Sequence, residues 1–243
     1  MPSGDMSEQE KAVLKFNLSA IDELSVLTDD DVSLFNSKVS CRRYKVGETL
    51  FMQDETCKGL YFIEQGLIAV RKVDKEGRTA VVRLGFNGDT LGYRPMLAKE
   101  CHRASADVIK AATVCFVDTK TMMEVLHHNP ELGIKFLERT AKALGDVEER
   151  FFEVAALNVR VRLVHLILLL SDRFGAVSSD GLLILELPLT RRDMASMIGA
   201  QPESVSRTIH DLQVEGLANF SGRNVHVAEY DRLMDELHSG LNG

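Results

Sequence analysis

Residues Thr190–Leu217 read TRRDMASMIGAQPESVSRTIHDLQVEGL. Thr190 followed by Asp193 is a capping-box pattern, in which each side chain satisfies a backbone N–H of the other and starts a helix. Ala195 is small, as a close helix crossing requires, and Gly199 stands where a helix-turn-helix makes its turn. Pro202 suits the first position of a second helix, because it has no N–H to leave unsatisfied. Val205, Ile209 and Leu212 recur at i, i+4 and i+7 and predict a buried face. Glu203, Ser206 and Arg207 fall on the opposite face, in the two turns of a recognition helix that reach the major groove. Arg can clamp guanine O6 and N7, Glu can accept from cytosine N4, and Ser can serve either role. On an ordinary surface helix, Glu203 and Arg207 would instead form an ion pair worth about 0.2–0.5 kcal/mol. The turn, the caps and a hairpin signal at Ser221-Gly222-Arg223-Asn224 favour DNA reading. The expected elements are a strand over 182–187, helices over 190–198 and 201–215, and a closing strand over 225–227.

Upstream, Asn158 is a good N-cap for a helix through about Asp172. Pro130 opens a longer helix to about Ala156, after a short one over 121–127. Within the long helix Leu137, Thr140, Leu144, Val147, Phe151 and Val154 are spaced 3, 4, 3, 4, 3, a heptad seam with one polar member. Such a seam can pack on its own domain. Its narrowness and its charged flanks (Glu138, Arg139, Lys142, Glu148, Arg150) point to pairing with a second copy. From about Cys41 to Val117 the texture is short strands between turns: Gly59–Ile63, Leu67–Val73, Thr79–Leu84 and Ala112–Val117, with a hairpin turn at Lys75-Glu76-Gly77. Strands so closely spaced suggest an all-β barrel or jelly roll.

Composition limits the alternatives. The 243 residues, 45% hydrophobic, suffice for real cores. No apolar run reaches the roughly 18 residues that a membrane span needs, and Met1–Glu10 is polar and acidic, unlike a secretory leader. The four cysteines, Cys41, Cys57, Cys101 and Cys115, lie far apart without a C-x-x-C pair, which argues against a zinc site or a disulfide scaffold and fits a reducing cytoplasm. Net charge is −7, and residues 158–243 carry eight Arg, no Lys and eleven Asp+Glu, a net of −3. DNA binding here must therefore use local arginines rather than a broad basic field. No G-x-S-x-G, P-loop or H-E-x-x-H occurs, so no enzyme is expected.

The chain resembles the CRP/FNR superfamily of transcription regulators over about residues 20–233. The resemblance is carried by VGETLFMQDETCKGLYFIEQGLIAVRKVDKEGR, GDTLGYRPMLAKECHRASA and TRRDMASMIGAQPESVSRTI. It implies an α+β fold in three parts. These are a jelly-roll sensor of cyclic-nucleotide-binding type with a helical lead (1–129), a dimerisation helix (130–157) and a winged helix-turn-helix (158–243). It implies a homodimer on double-stranded DNA, contact with RNA polymerase, no membrane, and activation of transcription. Glu203, Ser206 and Arg207 match the E-x-x-S-R of the FNR-like branch, which implies a palindrome near TTGAT-N4-ATCAA. Pro202 stands where the cyclic-AMP branch has an Arg. Thr190 and Arg191 match phosphate-contacting positions.

At the effector site the sequence departs from the family. Tyr93 replaces the ribose-binding Glu, Ala104 the Ser after Arg103, and Val147 and Glu148 the adenine-facing hydroxyl residues. Cyclic AMP is therefore not the expected effector. No cysteine precedes Cys41, which disfavours an iron–sulfur cluster. Cys101-His102 leaves haem, a metal or thiol oxidation open. The ordinary reading of the pair is a partly buried thiol beside a surface imidazole. A sensor module acting on protein partners without specific DNA binding is the alternative function.

Overall fold

The computed structural model describes residues 16–177, 183–227 and 230–241; the leader reading at Met1–Glu10 lies outside them. The chain forms two compact units, Met1–Ile68 with Leu84–Thr140, and Ala69–Arg83 with Ala141–Gly243. No helix among the described residues is long and apolar enough to cross a membrane.

The first unit begins with two 3-10 turns, Leu18–Ala20 and Asp22–Val26, and helix α1 (Asp29–Lys38). A capping box of Thr28 and Asp31 starts α1. Strands β1 (Ser40–Tyr44), β2 (Thr49–Phe51), β3 (Gly59–Val73), β4 (Thr79–Gly85), β5 (Thr90–Leu91) and β6 (Ser105–Asp118) form one sheet of order β1-β6-β3-β4, with β2 beside β6 and β5 beside β3. The two strands expected over 59–63 and 67–73 are one. Gly66 takes φ +112°, and a Cβ there would come within 2.5 Å of Ala112, so glycine lets the chain bend against its neighbour without ending the strand. Helix α2 (Tyr93–Ala98) follows β5. Helix α3 (Thr119–His128) is capped by Asp118. Phe16, Phe35 and Phe62 meet with ring centres 5.5–5.7 Å apart in a core that also holds Tyr93, Met96, Cys115, Leu132 and Phe136.

Helix α4 (Pro130–Ala156) is continuous over 27 residues. Its buried apolar side chains, Leu132 and Phe136, lie near its start. The seam beyond is bare: Leu137, Leu144, Val147, Phe151 and Val154 are 48–75% exposed, Phe151 the most. Thr140 Oγ1 donates to Phe136 O at 2.7 Å, so the polar member of the seam is satisfied within its own helix.

In the second unit, α5 (Val159–Phe174) is buried along most of its length and capped by Asn158, whose side chain accepts from Val161 N at 3.0 Å. Strands β7 (Gly175–Val177), β8 (Leu183–Glu186), β9 (Asn219–Ser221) and β10 (Asn224–Val227) pair in the order β7-β8-β10-β9. Helices α6 (Arg191–Met197) and α7 (Pro202–Val214) lie between β8 and β9, and α8 (Tyr230–Leu241) is the last element described. The fold is α+β, a β-rich N-terminal part and a helix-turn-helix part. The hairpin over 219–227 stands where the turn signal placed it.

Cysteine spacing misled on one point. Cys41 and Cys115 are joined by a disulfide across β1 and β6, although 74 residues separate them. Antiparallel register, which spacing along the chain does not show, sets them opposite each other.

Candidate nucleic-acid interface

The site is built on α6 and α7. Thr190 Oγ1 accepts from Asp193 N (3.1 Å) and donates to Asp193 Oδ2 (2.8 Å), while Thr190 N donates to the same oxygen (3.0 Å). The capping box is complete, and the Thr190 hydroxyl proton is committed to it. Asp193 is buried and also pairs with Arg71 of β3. Burial alone would raise the Asp193 carboxyl, but the hydrogen bonds from Arg71 and Thr190 outweigh it and hold the group below the usual carboxylate range. Ser196 Oγ accepts from Val81 N (3.0 Å) and donates to Asp193 O (2.8 Å), a second tie from the β3–β4 hairpin to α6.

The turn between the helices is held from below. Arg162 of α5 is 8% exposed, and its Nη1 donates to Ile198 O (2.5 Å) and Gly199 O (3.4 Å) at the end of α6. A cation there meets the negative end of the helix and satisfies carbonyls that lack intrahelical partners. Gly199 takes φ +63°, and a Cβ would lie 3.1 Å from Val154 Cγ2 and 3.4 Å from Arg162 Nη1. Val154, expected in the dimer seam, thus also packs beside the turn.

On α7, Val205, Ile209 and Leu212 are fully buried, and Glu203, Ser206 and Arg207 are exposed on the other side. Among the described residues these three side chains have no intramolecular hydrogen-bond or ion-pair partner, and Glu203 does not pair with Arg207. Arg191 and Arg192 are likewise exposed on the first turn of α6. An acceptor, a small hydroxyl and a planar five-donor cation therefore stand unengaged on one helical face, the set needed to read base edges.

Residues 41–129 match the cyclic nucleotide-binding domain, and residues 161–236 match the Crp-like helix-turn-helix domain. The chain belongs to the CRP/FNR family. This is a family of transcription regulators, not enzymes. One relative is the transcriptional activator protein FnrL of Cereibacter sphaeroides, 26% identical over 83% of this chain and 82% of that one. Another is the cAMP-activated global transcriptional regulator CRP of Salmonella typhimurium, 25% identical over 82% of this chain and 95% of that one. The structure of FixK2 from Bradyrhizobium japonicum superposes with a TM-score of 0.70 at 23% identity, covering 81% of this chain and 96% of that one.

In this CRP/FNR protein the expected effector residues have diverse surroundings. Tyr93 is buried, its ring 6.2 Å from Phe136 and 5.4 Å from the Arg139 guanidinium. Arg139 in turn pairs with the buried Glu23 and with Asp89 at 2.8 Å. Arg103 is at the surface, paired with Glu100 at 2.8 Å, and Arg94 holds the other oxygen of that carboxylate. Ala104 is half-buried, while Val147 and Glu148 are exposed on α4. The reading of Cys101-His102 is reversed. The imidazole is 3% exposed, stacked 3.8 Å from Phe51 and pushed below its ordinary pKa by burial, and the Cys101 thiol is exposed. No group of three or more metal-ligating side chains occurs among the described residues.

Arg162 and Arg71 escaped the sequence reading. The first left a trace. It interrupts the apolar run VRVRLVHLILLL at a position whose neighbours, Val161 and Leu163, are both core residues. Arg71 left none, because a partner 122 residues away cannot be inferred from local pattern.

Proposed function

We propose that the protein is a homodimeric transcription activator of the bacterial cytoplasm that reads a palindrome near TTGAT-N4-ATCAA. The observation that carries this reading is the exposed, unpartnered trio of Glu203, Ser206 and Arg207 on the first two turns of α7. Arg207 clamps the guanine, Glu203 meets a cytosine amino group, and Ser206 assists at a neighbouring pair. Arg191 contacts phosphate through its exposed guanidinium, while Thr190, whose hydroxyl proton and backbone N–H are given to Asp193, serves by capping the helix that presents Arg191. The bare seam Leu137, Leu144, Val147, Phe151 and Val154 pairs with its copy and sets the two reading helices about one DNA turn apart.

Once on DNA, the dimer recruits RNA polymerase. Its signal is not cyclic AMP, although one relative carries that ligand in its name. Tyr93 offers no carboxylate to a ribose and is packed into the core. Random-sequence selection with the purified protein tests the reading. Recovery of the TTGAT-type palindrome supports it, and a TGTGA-type half-site places the protein in the other branch. Recovery of no palindrome favours a module that acts on protein partners.

A further inference from the structure

We propose that Cys41 and Cys115 are a reversible redox site, a dithiol that a peroxide oxidises to the cross-strand disulfide and a cellular dithiol reduces. The proposal rests on the reading of this chain as a cytoplasmic DNA-binding regulator. In that compartment a disulfide does not persist as a structural staple, and those that form are transient, catalytic or redox-sensing.

The fold supplies the pairing. β1 runs antiparallel to β6 with Cys41 opposite Cys115, and their Cα atoms are 3.9 Å apart. Residues directly opposite each other across an antiparallel pair have side chains within reach of one another. Ser40 pairs with Phe116 on one side and Arg42 with Val114 on the other, so the ladder holds the two sulfurs together in either oxidation state. The bond closes no gap that the strands leave open. A chain of 243 residues with a core of this extent also does not depend on a cross-link to fold.

Burial divides the roles. Cys115 is fully buried in the core that also holds Met122, Leu132 and Phe136, whereas Cys41 is only partly covered by that core. Cys41 is the sulfur that meets the oxidant. Its thiolate attacks one peroxide oxygen and the O–O bond breaks. The departing oxygen leaves as water after taking a proton, and Cys41 becomes a sulfenic acid. The Cys115 thiolate then attacks Cys41 Sγ and expels the hydroxyl as a second water. Two thiols and one hydrogen peroxide give one disulfide and two waters. Reduction reverses the bond by attack of an external dithiol on the partly exposed Cys41 sulfur.

Mass spectrometry of the full chain tests this without DNA, so failure here and failure of the DNA-reading proposal are separate results. The reduced protein is treated with one equivalent of hydrogen peroxide, then denatured and alkylated with N-ethylmaleimide. The four labels of the reduced protein should fall to two, and peptides containing Cys41 and Cys115 should be linked. Dithiothreitol added to the folded, oxidised protein should restore all four. Cys57 and Cys101 line one surface cavity and are the competing pair. A Cys57→Ser/Cys101→Ser variant should still lose two labels, and Cys41→Ser, at a partly exposed position, should form no intramolecular link. Retention of four labels in the wild type overturns the proposal. So does linkage of Cys57 to Cys101 instead, or a folded disulfide that resists dithiothreitol.

Discussion

Replacing Phe151 by Asp separates the assembly role of α4 from its role in the fold. Phe151 is 75% exposed in the single chain, so its ring contributes little to the stability of one copy. Full burial of a Phe side chain contributes about 1.5–3 kcal/mol relative to exposure. Three quarters of that is roughly 1–2 kcal/mol per chain, and two-fold symmetry doubles it to about 2–4 kcal/mol per dimer. The two carboxylates that Phe151→Asp sets near each other in an apolar seam add to this cost. Dimer affinity should therefore fall by at least about 30- to 1000-fold. Sedimentation equilibrium over a concentration series reads this directly. Circular dichroism should show an unchanged fold, because no core contact is lost. A variant that dimerises as tightly as the wild type would refute the assignment of the seam to a second copy.

Three further outcomes are expected. Arg207→Ala should cost about 1–3 kcal/mol in operator binding and relax the preference for G at one position, whereas Arg191→Ala should weaken all sequences alike and flatten the salt dependence; fluorescence anisotropy at several salt concentrations separates the two. Arg162→Ala leaves the Ile198 carbonyl, and more weakly that of Gly199, without its donor, so thermal unfolding should show a loss of about 1–3 kcal/mol, and operator affinity should fall with it because the turn before α7 loses its support. Asp193→Asn should destabilise the protein at neutral pH; since the folded carboxyl is held below its ordinary value of 3.8, the contribution is complete above that pH and is lost as pH falls through the lower folded value, so the gap between variant and wild type in denaturant titrations should close only in that acid range.

Local chemistry alone determined much of this protein. The Thr190–Asp193 box, the Asn158 cap, the buried stripe Val205, Ile209 and Leu212 and the exposed trio beside it are interactions three to seven residues apart. Helical geometry makes such spacings legible in the amino-acid order. The same holds for the α4 seam as a pattern, and the structure adds that, among the described residues, most of it stays exposed. Tertiary structure decided whatever depends on partners distant in sequence. It set Cys41 against Cys115 through strand register, merged two strands into β3 at Gly66, and buried His102 while exposing Cys101. It also placed Arg71 and Arg162 on the helix-turn-helix. Pairing across a sheet and burial of a charge depend on which surfaces meet in the folded chain, and nothing in the spacing along the chain specifies that meeting.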